Sequence, residues 1–501
     1  MSQLNPAMPI SSTTPGASFQ DVKAGKPSRW LWVPYVWLFF SATRTLSAWL
    51  AHDSGSDADM SGNPIDRLLM TGLIVVGLFV LSKRWKDTKR ILANNKWIVA
   101  LFIYIGLSVI WSNFPGVSFR RGIRSMGTFV MVLMVLTERN PLEAVRALLR
   151  RLYIVHIPLS IVTIKYFRNI GVGYNWSGEE EDWIGLSTDK NSLGQVVTCS
   201  GAFWLWQYLQ DWPKKKLTLS LLLLGMTLWI LRGSKNVHSS TAIVGFAVCA
   251  AILFGLQLVK KRAAHARRTI LAATLAVSIV APLAYIALQA FETSPVQMVL
   301  QATGRNMTFT DRTLIWTDVL NITAKSPVLG VGIGALWVGP AGYQMYPMPN
   351  WSRKTPEWRP TEGHNGYVDT YAELGIIGLS MLLVIIGIGF AGALAHLERD
   401  FLFGSLRLTL LVAIVTNNIT ETSYLKGTHD FWFLFLLVAI NLPKPIAMLP
   451  TKRQENAAGD SAKQNELAAK VPALVSAPIR LAESILPGPE MPPCFAGYAH
   501  I

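Results

Sequence analysis

Charge is scarce in this chain. Asp, Glu, Lys and Arg make up 15% of its 501 residues, against about 25% in soluble domains. Hydrophobic residues reach 51% and the mean hydropathy is +0.34, so the shortage points to a membrane protein. Cysteine is scarcer still: Cys199 and Cys249 lie in apolar runs and Cys494 lies in the tail. That excludes a disulfide framework and a zinc-ligand spacing. The first 29 residues lack the apolar core of a cleavable signal peptide, and the first apolar run is expected to serve as an uncleaved anchor. No Gly-rich phosphate loop follows a strand, and no paired-Asp motif or carboxylate–His cluster with metal spacing stands out. The expectation is chemistry without a metal or a cofactor.

Positive charge, by contrast, is in excess, with a net charge of +16. In a soluble protein that would raise the question of nucleic acid. Here the basic residues sit in short clusters between apolar runs, the pattern of cytoplasmic membrane loops, and no nucleic-acid partner is expected. A span needs roughly 20 mostly apolar residues. About twelve segments qualify: 31–50, 65–82, 97–112, 118–137, 149–166, 191–209, 216–232, 240–259, 269–290, 366–395, 403–419 and 428–443. Basic clusters follow the second (Lys83, Arg84, Lys86, Lys89, Arg90), fourth (Arg139, Arg146, Arg150, Arg151), sixth (Lys214, Lys215, Lys216) and eighth (Lys260, Lys261, Arg262, Arg267, Arg268). The loop 51–64 carries His52, Asp53, Asp57 and Asp59 but no Lys or Arg.

The even-numbered ends therefore face the cytoplasm. The expected architecture is an all-α, polytopic integral membrane protein embedded in the lipid bilayer. Residues 1–30 form a cytoplasmic polar N-terminus and 31–443 the transmembrane domain. A large outer segment, 291–365, lies between the ninth and tenth spans. Residues 444–501, polar and rich in Ala and Pro, form a disordered cytoplasmic tail.

Cations on the outer face are against the topology rule and call for a reason. Arg120, Arg121 and Arg124 open the fourth span; they either bind an anion or snorkel to headgroups. Arg44, alone in the first span, is expected to have a buried structural partner. Arg305 lies before, and Arg312 at the start of, a short helix running from Thr310 to Ala324, with Trp316 and Val319 on one side. Their planar forks suit phosphate oxygens, or they form a solvated face. Lys190 opens the sixth span, where it binds an anion or pairs with Asp189. His364 is the sole histidine of 291–365; an imidazole there can take a hydroxyl proton near neutral pH or serve as a hydrogen-bonded interfacial group. Glu373 is expected to pair with a cation, and Glu421 adds a carboxylate on the same face. Trp337, Tyr343, Tyr346, Trp351 and Trp358 either stack on sugar rings or sit at the membrane interface.

Several stretches, in order, resemble one family. His364-Asn365, nine residues, Gly375, two residues and Gly378 match the H-N-x9-G-x-x-G pattern of O-antigen ligases and related bacterial polysaccharide polymerases. TDRTLIW (310–316) with SPVLGVGIGALW (326–337), WSNFPGVSFRRGIRS (111–125), LSTDKNSLG (186–194) and NITET (418–422) resemble further elements of that superfamily. The resemblance implies an enzyme of the bacterial inner membrane with its active site facing the periplasm. It would transfer a glycan from undecaprenyl diphosphate to a hydroxyl acceptor: lipid A-core, another lipid-linked repeat unit, or protein. It would act by inversion and without a metal, beside other polysaccharide assembly and export proteins.

Carried over residue by residue, Arg312 and His364 are catalytic, His364 as base or as diphosphate contact. Arg305, Arg120, Arg121, Lys190, Lys235 and Glu421 bind substrate. Lys235 stands where many ligases have an Arg in a Ser-Arg-Thr element, a departure that leans toward the exopolysaccharide polymerases. Gly375 and Gly378 are expected to allow close helix packing. A transporter or lipid flippase is the rival reading; it calls for internal repeats and midplane charge pairs, and the sequence has neither.

Overall fold

In the computed structural model, the described residues are 27–51, 63–174, 180–211, 218–234, 239–260, 312–354 and 359–443. The ninth expected span, Arg305, Thr310, Lys235, Trp358 and the tail lie outside them. The helices, in chain order, are α1 (Trp32–Ala42), α2 (Leu46–Ala51), α3 (Pro64–Lys83), α4 (Trp85–Asn94), α5 (Lys96–Leu107), α6 (Pro115–Leu136), α7 (Pro141–Tyr166), α8 (Arg168–Gly171), α9 (Lys190–Asp211), α10 (Thr218–Arg232), α11 (Ser240–Val259), α12 (Arg312–Thr323), α13 (Gly339–Met345), α14 (Pro349–Lys354), α15 (Gly366–Arg399), α16 (Phe401–Asn417) and α17 (Asp430–Ala439). Every expected span that falls on described residues overlaps helix, although the first is broken between α1 and α2 and the third is helical only to Leu107. One small departure from all-α is an antiparallel hairpin, β1 (Val172–Tyr174) with β2 (Glu181–Trp183).

Four of these helices (α3, α7, α11 and α15) are long and apolar enough to cross a membrane, or five spans if the α4–α5 pair, bent by 92°, counts as one. On α3, Leu68, Val75 and Phe79 are more than half exposed, an apolar stripe that belongs against hydrocarbon. In α16 and α17 the apolar residues are buried on every side, the pattern of helices at the centre of a bundle. They pack on each other, on α15 and, through α16, on α9 and α11. Buried Arg407 of α16 donates to Val438 O at 2.6 Å and to Asn441 Oδ1 at 2.7 Å. It thereby serves the carbonyls that end α17, where a cation also meets the helix dipole favourably.

Hydrogen bonds join the connecting segments in two groups. In one, Arg84 pairs with Glu138 at 2.6 Å, Ser28 donates to the same carboxylate, and Asn95 bonds the backbone of Asn441. In the other, Arg44 donates to the carbonyls of Ser187 and Ile170, Asn113 to Tyr346, and Arg121 to Gly334 and Trp337. Arg44 thus has its structural partners, in backbone rather than in a carboxylate.

The helix α15 is not continuous. Gly375 has φ +65° and ψ −168°, a conformation open essentially to glycine alone. The segment 326–332 docks into the break. Ile376 N–H donates to Pro327 O (2.9 Å), while Val331 and Gly332 N–H donate to Ala372 O and Glu373 O (both 2.9 Å). Backbone groups freed by the break are thereby paired inside the protein, as a site next to hydrocarbon requires. A Cβ at Gly375 would lie 2.1 Å from Val328 O, and one at Gly378 would lie 2.2 Å from Leu374 Cβ. The two glycines serve this break, not the helix-to-helix packing expected of them.

Candidate functional site

The outer segment has a core of its own. Ile315 and Val319 of α12 pack with Val331, Leu336, Trp337, Tyr346, Met348 and Trp351. Asp318 ties α14 to α12, accepting from the N–H groups of Asn350 and Trp351. Trp337, Tyr346 and Trp351 are therefore buried packing residues, neither sugar platforms nor an interface belt. Half-buried Tyr343 faces Arg359. No spacing in the sequence distinguishes a small packed core from an aromatic platform.

That core holds the turn before α15. Asn365 caps the helix, its side chain accepting from Tyr367 and Val368 N–H. Gly363 N–H donates to Asp369, whose carboxylate also accepts from Trp337 Nε1 and from Thr422 Oγ1 at 2.7 Å. Trp316 Nε1 donates to Gly363 O at 2.8 Å, and Asn365 N–H to Thr422 Oγ1 at 3.0 Å. Between these anchors His364 has φ +49°, an uncommon conformation for a residue with a side chain and one that concentrates at functional sites.

Among the described residues, five ionisable side chains meet at this turn. His364 Nδ1 lies 3.0 Å from Glu362 Oε1 and 3.2 Å from Glu421 Oε2. Arg312 Nη2 pairs with Glu421 Oε1 at 2.9 Å, and its Nη1 donates to Thr420 O. Lys426 pairs with Glu362. Glu421 is buried, and Arg312 nearly so.

Burial opposes charge on His364. The hydrogen bonds to Glu362 and Glu421, with the charge of Glu362, outweigh burial and the nearby Arg312, and its pKa is pushed up to about 9. Burial would raise the Glu362 carboxyl, but Lys426 and His364 hold it well below the usual carboxylate range. Burial likewise works against the Lys426 ammonium, and Glu362 overrides it, raising its pKa. Among the described residues the cluster thus sets the carboxyl groups of Glu362 and Glu421 against His364, Lys426 and Arg312.

Glu362, His364 and Glu421 bring ligand-capable atoms within 4.8 Å of one another, a carboxylate–His cluster the sequence did not suggest because Glu421 lies 57 residues from His364. Lys426 and Arg312 already neutralise both carboxylates, so the donor set reads as an ion-pair cluster.

The other expected site residues fall elsewhere. Arg121 donates from Nη1 to Gly334 O at 2.7 Å and from Nη2 to Trp337 O at 2.8 Å, which commits those donors to clamping the 326–337 segment rather than to a diphosphate. Arg120 is exposed on α6. Lys190 pairs with Asp182 of β2 at 3.1 Å, while Asp189 accepts from Asn191 and Ser192 N–H at the start of α9. The Lys190–Asp189 pair is thus replaced by one the hairpin creates, and the helix start carries its own carboxylate. Among the described residues Glu373 has no ion pair, so the cation expected beside it is not found there. Glu362 and Lys426 were missed. Glu362 is visible two residues before the His-Asn pair, but nothing in the sequence links it to Lys426, 64 residues away. Arg121→Ala is expected to leave α6 intact and to loosen the 326–337 segment, read as faster limited proteolysis there.

A helical, membrane-type bundle with an ion-pair cluster at one end is the class of protein that fold and site define. Residues 236–383, which contain the α12 segment, the His-Asn turn and the break at Gly375, match the model of the O-antigen ligase family. The chain is also 23% identical over 370 residues to the exopolysaccharide production protein ExoQ of Rhizobium meliloti (strain 1021), across 69% of this chain and 78% of that protein. Both findings support the superfamily of O-antigen ligases and polysaccharide polymerases that the motifs resemble, and with it a glycan-transferring function.

Proposed function

We propose that this protein works at the periplasmic face of the bacterial inner membrane, spanning it about twelve times, and transfers a glycan from undecaprenyl diphosphate to a hydroxyl. The observation that carries this reading is the pairing of Arg312 and His364 through one buried carboxylate, Glu421. Two cations held side by side in a partly dry site suit a diphosphate whose charge grows as it leaves. In the reaction the acceptor oxygen bonds to the anomeric carbon, the carbon–oxygen bond to the diphosphate breaks, and the hydroxyl proton passes to the departing diphosphate. Of the possible acceptors, a second lipid-linked repeat unit fits best. The relative named for exopolysaccharide production supports it, as does Lys235 in place of the Arg common in ligases.

His364 acts here as a charged contact to the diphosphate. The imidazolium is present below its pKa of about 9 and is lost as pH rises through it. The alkaline limb of kcat/KM, which reports the free enzyme, is therefore expected to fall near that pH. A base role would give the opposite sign, a rate that rises through the same range. The test is a pH series with purified protein and undecaprenyl-diphosphate glycan, with ionic strength held constant.

A further inference from the structure

Two members of the cluster have no task in the transfer step itself, Glu362 and Lys426. Their geometry gives them one. Both Glu362 and Glu421 approach the same ring nitrogen of His364, Nδ1, at 3.0 and 3.2 Å. A carboxylate accepts and does not donate, so the Nδ1 proton is retained in the neutral ring as well as in the charged one. Nε2 is then the ring nitrogen left for substrate. Glu421 is held by Arg312, and Glu362 by Lys426. Lys426 is itself fixed from below: a Cβ on the adjacent Gly427 would lie 2.4 Å from the Arg124–Ser125 backbone of α6, and Thr128 donates to Gly427 O. The chain from α6 through Lys426 and Glu362 to the ring is continuous. It ends on a residue whose backbone is held at positive φ.

We infer that Lys426 and Glu362 are positioning residues that act through His364: Glu362 fixes the tautomer and the charge of the imidazole that meets the diphosphate, and Lys426 offsets part of the Glu362 charge that the ring meets. The inference deepens the transfer reading and rests on it for the identity of the substrate. Among the described residues, the charged and titratable groups facing the ring are Glu362 on its own segment, Glu421 on the loop after α16, Arg312 on α12 behind Glu421, and Lys426 behind Glu362. Asp369 of α15 lies beneath the turn, and both it and Glu373 lie within the field of Lys426.

The test is the titration of His364 in full-length protein in detergent, by NMR of labelled histidine, with its signal assigned by loss in His364→Gln. In Glu362→Gln the midpoint is expected to move down by about one pH unit or more, because one of two neighbouring charges is gone. In Lys426→Met it is expected to move up, because Glu362 then acts on the ring unopposed; Lys426→Arg keeps it in place. Opposite signs are the signature. A merely structural role would relax both variants toward the ordinary histidine value of about 6.5, and that result, or a midpoint in Glu362→Gln equal to the wild type, overturns the inference. Should Glu362→Gln not reach the membrane, Lys426→Met against Lys426→Arg decides the matter on the same axis. Transfer assays on the same preparations separate the two readings. If the midpoints move as expected but wild-type protein transfers no glycan, the positioning role stands and the transfer reading fails.

Discussion

Replacing Arg312 by alanine is expected to lower kcat/KM for glycan transfer by about a hundredfold or more, about 2.7 kcal/mol of transition-state stabilisation. The guanidinium sits where diphosphate charge would develop, and it also neutralises Glu421 at 2.9 Å. Its loss leaves a buried carboxylate with His364 as its remaining cation. Breaking a buried pair costs up to about 3–5 kcal/mol of stability, so the variant has to be judged on protein that still melts cooperatively. Arg312→Lys separates the two effects. It keeps the charge beside Glu421 but lacks the planar fork, and it is expected to fold normally with activity between wild type and the alanine variant. Arg312→Ala with wild-type turnover would remove this residue from the site.

The second large effect is on the fold. Gly375→Ala is expected to destabilise the protein by about 3 kcal/mol or more. The backbone at φ +65° and ψ −168° costs a side-chain-bearing residue about 1–3 kcal/mol. The new Cβ would also press on Val328 O from 2.1 Å, displacing the segment whose hydrogen bonds fill the helix break at about 1 kcal/mol each. Gly387, on the same helix, is the control: nothing lies within 4 Å of a Cβ built there. Gly387→Ala is expected to be neutral or to stabilise by up to about 1 kcal/mol through helix propensity. Thermal melting of both variants in detergent distinguishes a broken helix at Gly375 from a straight one, in which the two substitutions would behave alike.

What could be read from the sequence was whatever is local or periodic. Apolar runs gave the helices, by length and by period. The His-Asn pair was legible as a motif, but that Asn365 caps α15 is seen only in the structure. What was not legible depends on contacts between distant segments. Gly375 and Gly378 looked like packing glycines because a break filled by residues 326–332 has no local signal. The aromatic set read as a sugar platform or an interface belt because burial of Trp337 and Trp351 follows from their packing with α12, a contact with no local signal. Arg121 looked like an anion ligand until the carbonyls of Gly334 and Trp337, more than 200 residues on, were seen to take its donors. Lys426 carried no motif at all; its importance arises only where Glu362, His364 and Glu421 converge.

Whether Arg312 and His364 form a glycan-transfer site is decided by incubating purified protein with undecaprenyl-diphosphate-linked repeat units alone, without other proteins or an ion gradient. Lengthened lipid-linked glycan and released undecaprenyl diphosphate are expected from the wild type, and neither product from His364→Ala or Arg312→Ala proteins that remain folded. Wild-type product levels from both variants would remove the two residues from the chemistry.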